Sequence, residues 1–194
     1  DYLMLTHLHS DHTTGVVRLL NLMNVNTVIL PDNAEDTNGD NVLDDIIAAC
    51  EDNGTNVVYI THDTEFTAGA IRLSVYESSE RGSRDESGIM STVSVGDYDM
   101  LVTGDVEKIV ERELVSSHDL SGTELLIVPH HGSKYSTSDE LLSALRPETA
   151  VISTGYNRYG HPTKETLDKL NEYGVNVLRT DELGRIVLHV ASGD

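Results

Sequence analysis

The sequence predicts a layered α/β domain, and three observations carry that prediction. Short β-rich runs alternate with amphipathic stretches of helical period along the whole chain. One pair of apolar runs is joined by the turn dipeptide Gly96-Asp97, a hairpin signal that argues against a purely doubly wound parallel sheet. Three apolar runs end abruptly in clusters of His, Asp and Gly. Strands of a layered fold deliver chemistry at such ends.

The elements follow in order. Residues 2–6 read as a strand. Residues 14–23 read as a helix, because Val16, Val17, Leu19, Leu20 and Met23 fall on one side. Residues 27–30 form a strand stopped by Pro31. Residues 41–52 form a helix with Val42, Ile46, Ile47 and Ala49 inward, and 56–60 a strand. Residues 70–75 are a further strand, and 77–88 a polar loop rich in Ser, Gly and charge. The hairpin pairs 89–95 with 98–103. A helix over 107–116 precedes a strand over 124–128. The helix over 138–145 ends before Pro147, whose ring disfavours a helical residue ahead of it. Residues 149–153 are a strand and 164–173 a helix. Two last strands, 176–179 and 185–190, flank a turn at Gly184.

No repeat or linker interrupts this pattern, so residues 1–194 are expected to form one domain. With 194 residues, 38% of them hydrophobic, the chain can bury a substantial core. No apolar run approaches the roughly 20 residues of a membrane span. The single cysteine, Cys50, excludes an internal disulfide and a cysteine metal cluster, and its apolar helix face makes it a core residue. A formal charge of −20 argues against a surface that coats nucleic acid. It leaves a nuclease open, because divalent cations would place positive charge where a phosphate must sit.

The chemistry concentrates in four motifs. Thr6-His7-Leu8-His9-Ser10-Asp11-His12 packs three imidazoles and a carboxylate directly after a hydrophobic strand. Imidazole and carboxylate are ligands for Zn, Mn or Fe. In an irregular loop His7 and His9 can face one metal, and Asp11 and His12 a second. Leu101-Val102-Thr103-Gly104-Asp105 ends a strand in Gly, which permits close backbone approach, and in a carboxylate able to bridge two cations. Ile127-Val128-Pro129-His130-His131-Gly132-Ser133 ends another strand in imidazoles. His131 is the expected ligand, and His130 the expected catalytic partner that orients a phosphate or protonates a leaving group. In Tyr159-Gly160-His161-Pro162, His161 is a candidate acid or substrate contact.

Other polar residues carry less. His62, His118 and His189 stand singly and read as structural or solvated. Asp36-Thr37-Asn38-Gly39-Asp40 opens like a calcium loop, but Asn41 and Ile47 occupy the positions that need Gly and Glu. Lys134, Arg146, Arg158 and Lys164 fall near the motif loops and are candidates for a small phosphate patch.

THLHSDH resembles the HxHxDH signature of the metallo-β-lactamase superfamily. The set LVTGD, VPHHGS, YGHP and RTDELG is similar to the hydrolase domain of ComEC-type competence proteins, which are DNA-internalisation channels. The resemblance runs from Tyr2 to about Val190. It implies an αββα sandwich with two divalent metal ions (Zn or Mn) at one edge. It places metal contacts at His7, His9, Asp11 and His12, with Asp105 as the bridge and Asp11 also in the catalytic set. It gives site roles to His130, His131 and His161. It implies hydrolysis of DNA phosphodiesters on the extracytoplasmic face of a bacterial membrane, beside the membrane-embedded channel domain of a parent protein. Small-molecule ester, lactone or phosphoester hydrolysis, and a non-catalytic binding role, are the alternatives. Three departures stand out. The family's first strands are missing, so N-terminal truncation is expected. Asp85-Glu86-Ser87-Gly88 stands where Asn-Ser is common. No third His ligand lies between the first motif and Asp105, since His62 comes too early.

Overall fold

The computed structural model describes residues 1–32, 34, 41–77 and 88–190. The first unit is strand β1 (Tyr2–Met4), a single helical turn α1 (Ser10–Thr13), helix α2 (Val16–Leu22), β2 (Thr27–Pro31), α3 (Val42–Asn53) and β3 (Asn56–Ile60). Its strands pair in parallel in the order β1-β2-β3. The second unit begins with β4 (Thr64–Ala68), β5 (Ile71–Tyr76), β6 (Met90–Val95) and β7 (Tyr98–Val102), an antiparallel meander. Helix α4 (Lys108–Ser117), β8 (Thr123–Ile127), α5 (Asp139–Leu145), β9 (Thr149–Ile152), α6 (Lys164–Glu172), β10 (Asn176–Arg179) and the short α7 (Thr180–Leu183) complete it. The seven-stranded sheet runs β10-β9-β8-β7-β6-β5-β4 and turns parallel from β7 onward.

The period-2 alternation of β2 explains the layering. Val28 and Leu30 face α2 and α3, packing with Leu20, Ile46 and Cys50. Ile29, between them, points the other way and meets Ile60, Val75 and Ile89 from both sheets. On the far side of the large sheet, Leu101, Leu126 and Ile152 pack against Val110, Leu114, Leu141, Leu142 and Leu170 of α4, α5 and α6. The order is therefore helices, sheet, sheet, helices: an αββα sandwich.

Two strand assignments change. Residues 64–68, not expected as a strand, form β4. Its alternation is carried by Thr64, Phe66 and Ala68, a pattern only weakly apolar, and pairing with β5 across the Gly69 turn decides it. Residues 185–190, expected as a strand, pair with no strand among the described residues, with Val187 58% and Leu188 43% exposed. Their alternation suits a half-buried strand, but a strand exists only where a neighbour supplies its hydrogen bonds. The helix expected over 14–23 begins at Val16, and a separate turn over Ser10–Thr13 precedes it. Residues 36–40, with the rejected calcium loop, and most of 77–88, including Asp85, Glu86 and Ser87, lie outside the described residues.

A buried carboxylate fixes how α4 meets α5. Glu111 has no exposed surface and accepts the backbone N–H groups of Thr137 and Ser138, both at 2.6 Å. Ser138 in turn caps α5 by accepting from the Leu141 N–H. Burial pushes the Glu111 carboxyl up, and those hydrogen bonds oppose the shift. Glu111→Ala strands two buried donors and should lower unfolding free energy by about 2–5 kcal/mol. Denaturant titration checks this. Glu111→Gln, which keeps one acceptor oxygen, should fall between alanine and the native protein.

Candidate metal centre

The four motifs converge at the strand ends where the two sheets meet. β1 leads into Thr6 and His7, whose backbone is locked by Leu5 N–H donating to Ile29 O and Ile89 N–H donating to Thr6 O, both at 3.0 Å. Gly104, after β7, lies against Thr6. A Cβ on Gly104 would stand 2.7 Å from Thr6 Cβ and 2.8 Å from its Oγ1, and the residue has φ +58°. The close approach expected of this glycine is therefore real, and its object is the backbone that carries His7. After β8, Pro129–Gly132 make a 3-10 turn in which His130 (φ 50°) and His131 (φ 53°) both adopt the left-handed conformation. Each costs about 1–2 kcal/mol. The kink sends two adjacent imidazoles to different neighbours. Gly132 continues it at φ +83°, and a Cβ there would meet Pro162 Cβ at 2.6 Å. The glycine of the HHGS motif and the proline of the GHP motif are thus packing partners.

Asp105 is the centre. It is 6% exposed, with His12 Nε2 at 3.4 Å from Oδ1, and His7 Nε2 and His131 Nε2 at 3.7 Å from Oδ2. His130 Nε2 stands farther, at 4.0 Å. Asp11 joins from the α1 turn, 3.1 Å from His131 Nε2 and 3.8 Å from His12 Nε2. Asp11 and His12 ride a helical turn rather than an irregular loop. Consecutive residues there diverge by about 100°. Two groups of donor atoms result, each within 4.8 Å: His7, His9 and Asp105, and Asp11, His12, Asp105 and His131. Asp105 is common to both. His130 and His161 belong to neither. They lie ring to ring at 5.5 Å, lining the cleft.

Several features suit this donor set to divalent cations. His7 Nε2 and His12 Nε2 are buried without a hydrogen-bond partner, and both approach a carboxylate. Lone pairs are left there for something else to fill. Burial first, and the neighbouring His12 second, lower the His7 imidazole to about 4, so at neutral pH it is neutral and able to offer a lone pair. Burial alone would push Asp105 up. The close approach of His12 and the charges of His7, His12 and His131 outweigh it and hold the carboxyl at about 2. Burial lowers His12, but Asp105 and Asp11 raise it overall. Burial lowers His130 and His161. His131 Nδ1 lies 2.6 Å from Ser153 O, which leaves Nε2 toward Asp11 and Asp105. A ring anchored by its far nitrogen is how proteins orient an imidazole ligand.

A cleft of about 710 Å³ opens over this centre, lined by His9, Asp11, His130, His131 and the loop after β9. Sequence reasoning missed what holds that loop. Asn157 Nδ2 donates to His161 O (2.7 Å) and Gly155 O (2.9 Å), and its Oδ1 accepts from His161 N–H (3.0 Å) and Tyr159 N–H (3.2 Å). An Asn two residues ahead of an N–H it can bind is an Asx-turn signal. Thr180, from the RTDELG motif, pins the same loop by accepting from Thr154 N–H (2.8 Å) and donating to Thr154 O (2.6 Å).

Arg146 does not join the expected phosphate patch. Arg146 lies beside Gly122, Thr123 and Glu148, where β8 and β9 begin, the opposite ends from the His/Asp motifs. Lys164 pairs with Asp168 at 2.8 Å. Lys134 lies over the Tyr135 ring, 5.0 Å from its centroid. Only Arg158 sits in the loop that lines the cleft. Of the lone histidines, His62 and His189 are exposed, whereas His118 Nε2 pairs with Asp63 at 2.7 Å.

The chain is 30% identical over 189 residues to ComE operon protein 3 of Bacillus subtilis, covering 96% of this chain and 24% of that protein. It is also 36% identical over 119 residues to competence protein ComA of Neisseria gonorrhoeae, covering 59% of this chain and 17% of that one. Solved structures share the architecture. Igni18, a metallo hydrolase of Ignicoccus hospitalis, matches with TM-score 0.60 at 13% identity over 93% of this chain and 76% of its own. CmlA, a diiron β-hydroxylase of Streptomyces venezuelae, matches with TM-score 0.61 at 15% identity over 93% of this chain and 44% of its own. The chain has the metallo-β-lactamase fold and is similar to one part of the ComEC-type competence proteins. No family model matches it. The chain spans about a quarter of the length of the first of these relatives. Among its described residues no helix is long and apolar enough to cross a membrane.

Proposed function

We propose that this ComEC-like chain is a single domain that holds two divalent metal ions and hydrolyses phosphodiesters, with DNA as the substrate. The observation that carries the reading is the pair of donor groups sharing the buried Asp105 carboxylate. His7 and His9 would hold one ion, Asp11, His12 and His131 the other, with Asp105 between them. When bound, such ions polarise a phosphoryl oxygen and lower the pKa of a water toward neutrality. The chain's own residues supply the rest. Ser153 O orients His131 through Nδ1, and Asp105 stays ionised because imidazoles surround it. His130 and His161 stand at the cleft wall outside both donor groups, where they would orient a phosphate or pass a proton to the leaving oxygen. Similarity to competence proteins supports DNA taken up by a cell as the substrate, the extracytoplasmic membrane face as the location, and a membrane channel domain of the same parent protein as the partner.

The experiment is cleavage of a labelled oligonucleotide with and without EDTA, alongside metal analysis. About two metals per chain and cleavage lost in EDTA and in Asp11→Ala support the proposal. Cleavage at full rate in EDTA overturns it. A second reading, hydrolysis of a small ester or phosphoester, is favoured by the net charge of −20. Metals bound, with small-ester turnover and no DNA cleavage, would select it.

A further inference from the structure

The loop between β9 and α6 presents two tyrosines that do nothing for the fold. Tyr156 is 98% exposed and Tyr159 is 84% exposed, yet both line the cleft that holds Asp105. They are not loose ends of a floppy segment. The Asn157 side chain, lying between them in sequence, ties the backbone at Gly155, Tyr159 and His161. The backbone that carries them is therefore held by the chain itself. The Tyr159 ring stands 6.0 Å from the His161 ring, and His161 stands 5.5 Å from His130. A run of rings thus leads from the cleft mouth toward the candidate metal centre.

Charge gives this arrangement its meaning. Most proteins that track a nucleic-acid strand combine a cationic groove with aromatic rings on which bases stack. Here the chain carries −20, Arg146 stands at the opposite strand ends, Lys164 pairs with Asp168, and Arg158 is the cation of this loop. With little backbone attraction available, affinity must come from flat ring surfaces. Bases offer their faces to such rings in a single strand and hide them inside a duplex.

We propose that Tyr156 and Tyr159 form a stacking platform that seats the bases of single-stranded nucleic acid at the mouth of the cleft. This rests on the DNA-hydrolase reading, and it deepens that reading by selecting single strands. The test uses binding, so that it does not depend on turnover. The chain contains no tryptophan, so Tyr159→Trp adds one fluorophore at the platform. Oligo-thymidine should quench it and bind on the order of tenfold more tightly than an abasic oligomer of equal length and charge. Adding Tyr156→Ala should weaken the oligo-thymidine by about tenfold and leave the abasic oligomer unchanged, whereas Tyr156→Phe should retain binding. A duplex of the same length should bind like the abasic strand. Equal affinity for oligo-thymidine and abasic strands, or no quenching, overturns the platform. Stacking without cleavage in the presence of metals keeps the platform and removes the hydrolase reading. Cleavage without base-dependent binding does the reverse.

Discussion

Asp105→Asn should abolish the proposed hydrolysis while leaving the fold in place. Asparagine matches aspartate in shape, so the small void around this 6% exposed side chain is preserved. What disappears is the negative charge common to both donor groups. A neutral amide is a poor bridge between two cations, and in the free protein His7, His12 and His131 then crowd together without the carboxylate they surround. Metal content should fall below two ions per chain, and the rate should fall on the order of a thousandfold or more, as when a member of a cooperating catalytic set is removed. Metal analysis and single-turnover cleavage check this. Full metal content and full rate in Asp105→Asn would take the carboxylate out of the centre.

Gly104→Ala should be among the most destabilising single-methyl changes available. The residue has φ +58°, which an L side chain adopts at a cost, and the new Cβ would lie 2.7 Å from Thr6 Cβ. Thr6 cannot yield freely, since its carbonyl is held by Ile89 N–H and its Oγ1 lies 3.1 Å from His7 Nδ1. Steric overpacking and backbone strain together should lower stability by about 2–5 kcal/mol. Because the displaced segment carries His7, metal affinity should fall as well. Combining Gly104→Ala with Thr6→Gly removes the collision and keeps the strain. It should recover the larger part of the loss, and a denaturant double-mutant cycle measures the coupling directly. Additive losses in that cycle would show that the contact is not the cause.

The helices over Val42–Asn53, Asp139–Leu145 and Lys164–Glu172 were legible because apolar spacing, caps and a following Gly or Pro act locally. The hairpin of β6 and β7 was legible from its turn. The strand of residues 185–190 was misread, and β4 was missed, for one reason. A strand is completed by a partner that the local sequence does not name.

The His/Asp motifs show the same division. Their residue types, in their order along the chain, announced a cluster of imidazoles and carboxylates at strand ends, with Gly104 as a point of close approach. Which of His130 and His131 lies nearer Asp11 and Asp105 depended on two consecutive left-handed residues. That conformation is disfavoured locally and held by the surrounding fold, so no local rule foretells it. The position of Arg146 was likewise invisible, because residues near one another in sequence can stand at opposite ends of a strand. Composition and periodicity determined the layers and the kind of chemistry. The meeting of four distant loops, and with it the assignment of each side chain, was decided by long-range packing alone.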